Sequence, residues 1–301
     1  MPKNGISGTT DNKTFTIRKE SPQFLILTNS VTYTLPETLL ALYNNGNSRS
    51  VHYLINQEGH QDQFTDEDLQ SFTNGKSFFR GHSSLNQTAV NVMLLNNGNE
   101  SYTEAQKDKL KAFLIDFRER NPGIDLKINL LGLGEVATVE KSDVPEGEGK
   151  LFPRHQAPGK IFWLELVEEL AKQGFGLFIP TTLNEKAEAL VSPASSPCDI
   201  IQLQNNLRDY GYALEASGKY DEATKAWVTR FNERYVPDAT QTIDASIWSK
   251  ASQKNLDNIL HHLQVKTCTQ HLQSHSLFRR VAPTSDVDMV DVVQDIQLSA
   301  G

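Results

Sequence analysis

Apolar and polar positions alternate in blocks along the first 190 residues, and these blocks predict strands and helices in turn. Four short apolar runs have the length and composition of buried strands, and they are Phe24–Leu27, Val51–Ile55, Ala89–Leu95 and Ile128–Leu131. Apolar residues at helical spacing predict helices that begin near Pro36, after Ser101 or Thr103, and near Phe162. Strands that alternate with helices predict an α/β fold with a mixed central sheet flanked by helices.

The second part of the chain has a different pattern. Residues 192–197 read Ser-Pro-Ala-Ser-Ser-Pro, a composition typical of a linker. Three helical patterns follow, at Ile200–Asp209, Asp221–Tyr235 and Asp244–Leu263. We therefore predict four segments: a polar N-terminal segment (1–20), an α/β domain (21–191), a small all-α three-helix domain (192–265) and a C-terminal tail (266–301). The tail has an apolar helical face, typical of a segment that docks on its own domain or on a partner.

Charge and hydropathy exclude two classes of function. The 301 residues carry a formal net charge of -8 without a run of Lys and Arg, so we expect no nucleic-acid binding. No apolar stretch has the length of a transmembrane span. Met1–Asn12 lacks the pattern of a signal peptide, which predicts a cytoplasmic protein or a processed form.

Cys198 and Cys268 could form a disulfide in an oxidising compartment, and the sequence leaves that open.

Several motifs resemble the zinc N-acetylmuramoyl-L-alanine amidases of the phage-lysozyme and peptidoglycan-recognition type, especially the envelope members with a C-terminal peptidoglycan-binding module. Ser50–Ile55 resembles the S-x-H-Y-L-V strand of that family, and Ser84–Thr88 stands where it has R-L-N-D-T. Arg80-Gly81 and Tyr102–Gln106 match two further motifs, and the resemblance extends over about residues 24–263.

The resemblance implies a zinc ion held by two His and one Asp, but none of the three ligands is present. Thr28 stands at the His of V-I-H-Y-T, Leu133 at the His of G-H-x-D-I-A-P, and Ala157 at the Asp of R-K-x-D-P-G-P. Thr73 replaces the His of W-H-A-G, and Met93 replaces the catalytic acid of I-G-I-E-L-E-N. These side chains neither bind zinc nor act as a general base. We therefore expect no catalytic residue, no metal and no cofactor.

Two features of this domain leave alternatives open. A zinc site could have moved to His155 and a carboxylate of the acidic loop at 134–150, which we interpret as a solvated insertion. A polar groove could also survive where the zinc stood. Its lining would be Thr28, Asn74, Met93 and Ala157.

The three-helix segment resembles the peptidoglycan-binding module of the same proteins. Leu203-Gln204, Tyr210–Tyr212 and Gly218–Asp221 carry the match. The resemblance implies contacts with the stem peptide through residues near the first two helices, namely Gln204, Arg208, Tyr212 and Tyr220. The D-G-x-x-G turn of the module is replaced by Thr240–Asp244, which leaves a purely protein-docking role open.

Three hypotheses follow for the whole chain. The first is a pseudoenzyme with an amidase-like fold in the bacterial periplasm or cell envelope. It would bind peptidoglycan, or serve as a subunit of an outer-membrane or secretion assembly, with protein partners on the acidic loop and the tail. The second is an active amidase with a rearranged zinc site. The third is a cytoplasmic interaction protein that does not contact the cell wall.

Overall fold

The computed structural model describes residues 15–32, 34–43, 50–140, 150–238 and 243–264. Four predictions concern residues outside these ranges: the N-terminal segment up to residue 14, the acidic loop at 141–149, Cys268 and the tail. The chain divides into two units, Met1–Leu260 and His261–Gly301, and the second is described only for its first four residues. Among the described residues, no helix has both the length and the apolar character needed to cross a membrane.

The described residues contain more short strands than the four that the apolar runs predict. The strands are β1 (Phe15–Ile17), β2 (Phe24–Asn29), β3 (Tyr53–Ile55), β4 (Gln61–Gln63), β5 (Leu69–Ser71), β6 (Phe78–Phe79), β7 (His82–Ser83), β8 (Ala89–Leu94), β9 (Leu130–Gly132), β10 (Thr138–Glu140), β11 (Leu151–Pro153), β12 (Ala189–Val191) and β13 (Trp248–Ser249). The helices are α1 (Leu35–Tyr43), α2 (Glu104–Arg120), α3 (Leu126–Asn129), α4 (Leu133–Val136), α5 (Lys160–Lys172), α6 (Leu183–Ala187), α7 (Pro197–Tyr210) and α8 (Glu222–Tyr235). Residues 250–264 are also helical.

Five strands form the central sheet, in the order β4-β3-β8-β2-β9. β4 is antiparallel to β3, and the other pairs are parallel, so the sheet is mixed. β2 lies inside the sheet between β8 and β9, and all six of its residues are buried, as its continuous apolar run predicts. The predicted α/β fold with a mixed sheet and flanking helices is confirmed.

The two faces of the sheet differ in chemistry. On one face, Leu25 and Leu27 pack with α2 and α5 in the main hydrophobic core. The residues of α2 in that core are the four predicted from helical spacing, Leu110, Phe113, Leu114 and Phe117. The other face carries buried polar groups, where the Asn91 side chain donates to Ser71 Oγ at 3.0 Å. The positions of the expected zinc ligands lie at the end of this sheet.

One predicted strand is wrong at its start. Ile128 and Asn129 belong to the short helix α3, and the strand β9 begins only at Leu130. The Asp125 side chain accepts a hydrogen bond from the Lys127 backbone at 3.0 Å and so caps α3. The apolar run does end in a strand, but this cap directs its first residues into a helical turn.

The three predicted helices beyond residue 192 are present, but the start of the third is wrong: Trp248–Ser249 form β13, and the helix begins at Lys250 instead of Asp244. Ser196 caps α7 and Pro197 occupies its first turn, which is the arrangement expected at a helix start. Asp221 caps α8, whose Trp227, Val228 and Phe231 are fully buried. The last helix begins after Trp248, which pairs with β12 and lies against Phe231 at a ring-centroid distance of 5.1 Å.

Candidate functional site

The positions predicted to replace zinc ligands meet at the carboxyl ends of three adjacent parallel strands. Thr28 of β2 pairs in register with Met93 of β8. On the other side of β2, Leu27 pairs with Gly132, and Leu133 follows directly as the first residue of α4. The sheet therefore brings together positions that are up to 105 residues apart in the chain.

A loop between β11 and α5 brings the third ligand position to the same place. The Ala157 carbonyl accepts a hydrogen bond from the Gly134 backbone at 2.7 Å, next to Leu133. A Cβ atom on Gly134 would lie 2.8 Å from the His155 carbonyl oxygen, so only glycine allows this close approach of the two backbones. The structure thus brings Thr28, Leu133 and Ala157 close together, as the resemblance predicts for three ligand positions.

The side chains in this frame do not fit a zinc ion. Zinc requires imidazole, thiolate or carboxylate donors, whereas Leu133 and Ala157 provide only alkyl groups. The remaining hydroxyl, on Thr28, donates to the neighbouring Asn29 carbonyl at 3.2 Å. Within the described ranges, no three His, Cys, Asp or Glu side chains are grouped so that they could hold a metal.

The residues expected to line a polar groove are buried. Thr28, Met93 and Ala157 are each less than a tenth exposed, and Asn74 is fully buried. Met93 joins an apolar cluster with Leu42 of α1 and with Val51 and Leu54. The thioether therefore fills space beside the sheet, at the position where the family has an acid.

The segment around Asn74 is held by its backbone. The Asn74 N–H donates to Asn86 Oδ1 at 2.9 Å, and its carbonyl accepts from Arg154 Nη2 at 3.0 Å. Thr73, which the resemblance places at the His of W-H-A-G, donates its hydroxyl to the Ser50 carbonyl. Gly75 has a positive φ, and its missing Cβ leaves room for the Arg154 guanidinium. These contacts preserve the local scaffold without a titratable side chain at residue 73.

The histidines of this domain have other roles. His52 is fully buried, its Nδ1 accepts from the Asn91 N–H at 3.0 Å, and its Nε2 donates to the Leu69 carbonyl at 3.0 Å. Burial lowers the pKa of His52 to about 4, with a smaller contribution from the nearby Arg18 charge. His60 is exposed beside Asp62, and the His82 ring lies against Phe24. His155 is half-buried in the Ala157 loop.

Glu135 corrects the prediction that the whole acidic stretch is a solvated insertion. Glu135 is only 3% exposed, and its Oε2 accepts from the Gly132 N–H at 2.7 Å. Its Oε1 accepts from the Tyr210 hydroxyl at 2.7 Å, and Arg234 of α8 forms a buried ion pair with it at 2.5 Å. Burial alone would lower the pKa of Arg234, but the Glu135 carboxylate outweighs this and raises it. Sequence spacing does not reveal this network, because its members come from distant parts of the chain.

Three of the four residues predicted to contact peptidoglycan lie in the interior. Gln204 is fully buried, and its amide bonds Thr224 Oγ1 and the Gly218 N–H at 2.9 Å each. Tyr212 is fully buried and stacks on Trp227, and Tyr220 donates to the Ser246 carbonyl at 2.7 Å. Arg208 is exposed. The structure therefore does not bring these four side chains together on one surface, and their role in binding stays a prediction.

A sequence relative identifies the family. No family model matches the chain. However, the chain is 36% identical over 266 residues to a Rickettsia conorii protein with the provisional name N-acetylmuramoyl-L-alanine amidase. The match covers 86% of this chain and 94% of the relative. The chain belongs to the N-acetylmuramoyl-L-alanine amidase family. The sequence resemblance to this amidase family is thereby confirmed.

Two solved structures have the same fold. The amidase AmiD from E. coli, in complex with anhydro-N-acetylmuramic acid-L-Ala-D-γ-Glu-L-Lys, matches with a TM-score of 0.61 and 18% identity over 80% of this chain and 89% of that chain. AmpDh3 from Pseudomonas aeruginosa matches with a TM-score of 0.58 and 20% identity over 87% of this chain and 98% of that chain. At these identities the likeness concerns the fold alone.

Proposed function

We propose that this chain is a non-catalytic member of the amidase family that acts in the bacterial cell envelope. One observation supports this proposal most directly. Thr28, Leu133 and Ala157 meet at the end of the sheet, where the family would hold its zinc ion, and none of the three side chains offers an imidazole or a carboxylate. Without zinc, the amide-attacking water is not activated. Met93 stands where the resemblance predicts the catalytic acid, and its thioether cannot exchange a proton, which is a second reason to expect no catalysis.

The proposed role is binding, in the periplasm or envelope. One form of it is attachment to peptidoglycan, the class of polymer on which the family acts. The other is a structural subunit of a larger envelope assembly, such as a secretion assembly. Burial of Thr28, Met93 and Ala157 favours contacts on the outer surface over a stem peptide bound deep in the former site.

Metal content and hydrolysis test the loss of catalysis. The protein is purified without added zinc and then dialysed against one molar equivalent of zinc. It is expected to retain less than a tenth of an equivalent of bound zinc. It is also expected not to release peptide from an anhydromuramyl tripeptide. One tightly bound equivalent together with hydrolysis would overturn the proposal and support an active amidase with a rearranged site. Metal analysis and chromatography of the products provide the two readouts.

A rebuilt variant serves as the matched control for this measurement. Thr28→His, Leu133→His and Ala157→Asp together restore the family donors on the existing frame. The strand register places Thr28 next to the strand that leads into Leu133, and the Gly134–Ala157 hydrogen bond brings Ala157 beside Leu133, so this variant is expected to bind zinc in a calorimetric titration. If it binds while the natural chain does not, the loss is assigned to the donors themselves.

Co-sedimentation of the full chain with purified peptidoglycan sacculi tests the binding role. Pelleting that saturates and is competed by soluble muropeptides is the expected result for attachment to the wall. If the chain stays in the supernatant, the wall-binding form of the proposal is wrong, and only the structural-subunit form is left.

A further inference from the structure

A cavity of about 280 Å3 lies between the first turn of α5, the end of α8 and residues 243–249. It is lined by none of the five degenerate amidase positions. Pockets for drug-sized ligands span about 300–1,000 Å3, so this one has room for a single long side chain with its backbone.

The walls of the cavity are largely apolar. Ile161 and Leu164 line it from α5, Val236 from the end of α8, and Ile243 and Ile247 from the following segment. Leu164 is 41% exposed, which is unusual for a leucine on a helix that otherwise packs into the core. An aliphatic chain that covered these side chains would remove apolar surface from water.

Three carboxylates also line the cavity, on Glu233, Asp238 and the exposed Asp244. Glu233 forms an ion pair with Arg230 and also lies close enough to Lys160 to interact electrostatically. Asp244 Oδ1 instead accepts from both the backbone N–H and the hydroxyl of Ser246, at 2.8 Å each. Among the described residues, Asp244 forms no ion pair within 4 Å, although Lys225, which is paired with Glu222, lies close enough to interact with it electrostatically. The cavity thus combines apolar walls with three carboxylates and one ammonium group, that of Lys160, so the carboxylates outnumber the cations in its lining.

We propose that this cavity binds an aliphatic chain that ends in a primary ammonium group. The methylene groups would pack on Leu164 and Ile247, and the ammonium would donate to the Asp244 carboxylate. Such a ligand suits both parts of the site, because charge-assisted hydrogen bonds are the strong ones and the stem of a lysine-like chain is apolar. This inference concerns residues outside the former zinc site, so it stands whichever way the zinc measurement turns out.

Two probes that differ only in the ammonium group test the proposal on the full chain. Nα-acetyl-L-lysine amide is expected to bind saturably, as followed by the methyl NMR signals of Ile247 and Leu164. Nα-acetyl-L-norleucine amide is expected to bind at least tenfold more weakly. Equal affinity for both probes, or no saturable binding of the lysine probe, would overturn the proposal.

Asp244→Asn removes the charge and keeps the local fold, because the amide oxygen can still accept from Ser246. This variant is expected to bind the lysine probe at least tenfold more weakly, with an unchanged melting temperature. Asp209→Asn is the charge-matched control, since Asp209 is an exposed carboxylate of α7 outside the cavity. Unchanged affinity of Asp244→Asn, or an equal loss in Asp209→Asn, would contradict the assignment.

Two tripeptides distinguish the sources of such a ligand. One is L-Ala-D-γ-Glu-L-Lys, the peptide part of the ligand in the E. coli AmiD complex, and the other is the ordinary α-linked L-Ala-L-Glu-L-Lys. Tighter binding of the γ-linked peptide would assign the cavity to a cell-wall peptide. Equal or tighter binding of the α-linked peptide would assign it to a lysine side chain of a partner protein, and binding of neither would overturn the proposal.

Discussion

At the scale of single residues, His52 illustrates how a histidine of the family scaffold serves structure. Both ring nitrogens bond backbone groups, the Asn91 N–H and the Leu69 carbonyl, so the ring connects β8 to β5 across the polar face. A charged ring would lose the bond from Asn91, because Nδ1 would then carry a proton. The neutral form is therefore the one that the fold stabilises.

This arrangement predicts a pH dependence of stability. The pKa of His52 is lowered to about 4 in the folded state, against about 6.5 in the unfolded chain, so between these values the unfolded state binds more protons. From pH 7 to pH 5 the contribution of His52 to the free energy of unfolding is expected to fall by about 2 kcal/mol. Urea unfolding at both pH values measures the change.

An NMR titration of the histidine rings separates His52 from the other titrating groups. The His52 signals are expected to stay constant down to about pH 5. A midpoint for His52 above pH 6 would contradict the neutral, doubly bonded ring.

Residue-scale predictions from sequence succeed where a motif fixes a position and fail where burial decides the role. Thr28, Met93 and Leu133 lie together at the sheet end because the motifs that contain them occupy the ends of adjacent strands. Gln204 was expected to face a ligand, yet its amide satisfies three buried groups inside the domain. A polar residue in a short helix has the same pattern in both cases, so the sequence cannot distinguish them.

At the scale of elements, the turn α4 depends on contacts from α7 and α8. Tyr210 of α7 and Arg234 of α8 both bond Glu135, and Arg234 Nη2 also donates to the Leu130 carbonyl at 2.8 Å. These bonds hold β9 and α4, and with them the position of Leu133, against the three-helix segment. Arg234 lies 99 residues from Glu135, so helical or strand periodicity does not reveal the pair.

Breaking the buried pair is expected to destabilise the protein strongly. Arg234→Met leaves the Glu135 carboxylate buried without its counter-charge, which costs about 3–5 kcal/mol of unfolding free energy. The double variant Arg234→Met with Glu135→Gln is expected to be less destabilised than the sum of the two single variants. Urea denaturation curves of the four proteins measure both effects.

An exposed pair provides the control. Lys172 and Glu168 are 71% and 51% exposed in their side chains, so Glu168→Gln is expected to change stability by ~0–1 kcal/mol. A loss of similar size in Arg234→Met would show that the buried pair is not a stabilising link between these elements.

At the scale of the whole molecule, residues 15–191 and 192–260 are connected by more than a linker. The Arg80 guanidinium donates to the Tyr210 carbonyl at 2.9 Å, and the Phe79 ring packs edge-on against Tyr210 at 5.3 Å. On the β10–β11 hairpin, the Leu151 carbonyl accepts from the Trp227 indole at 3.0 Å. The hairpin that carries the acidic insertion therefore rests on α8. The linker composition at 192–197 predicts a domain boundary there but does not reveal these contacts.

These contacts predict that residues 1–191 do not fold stably alone. Removing the rest of the chain would leave Glu135 without Arg234 and would expose Phe79, so the fragment would have both an unpaired buried charge and an apolar patch. Expressed separately, the fragment is expected to be insoluble or to unfold without cooperativity, and co-expression with residues 192–301 is expected to restore a soluble complex. Circular dichroism melting and gel filtration measure the outcome. A soluble fragment 1–191 that melts cooperatively would instead establish that the boundary at residue 192 separates two independent folding domains, despite the contacts across it.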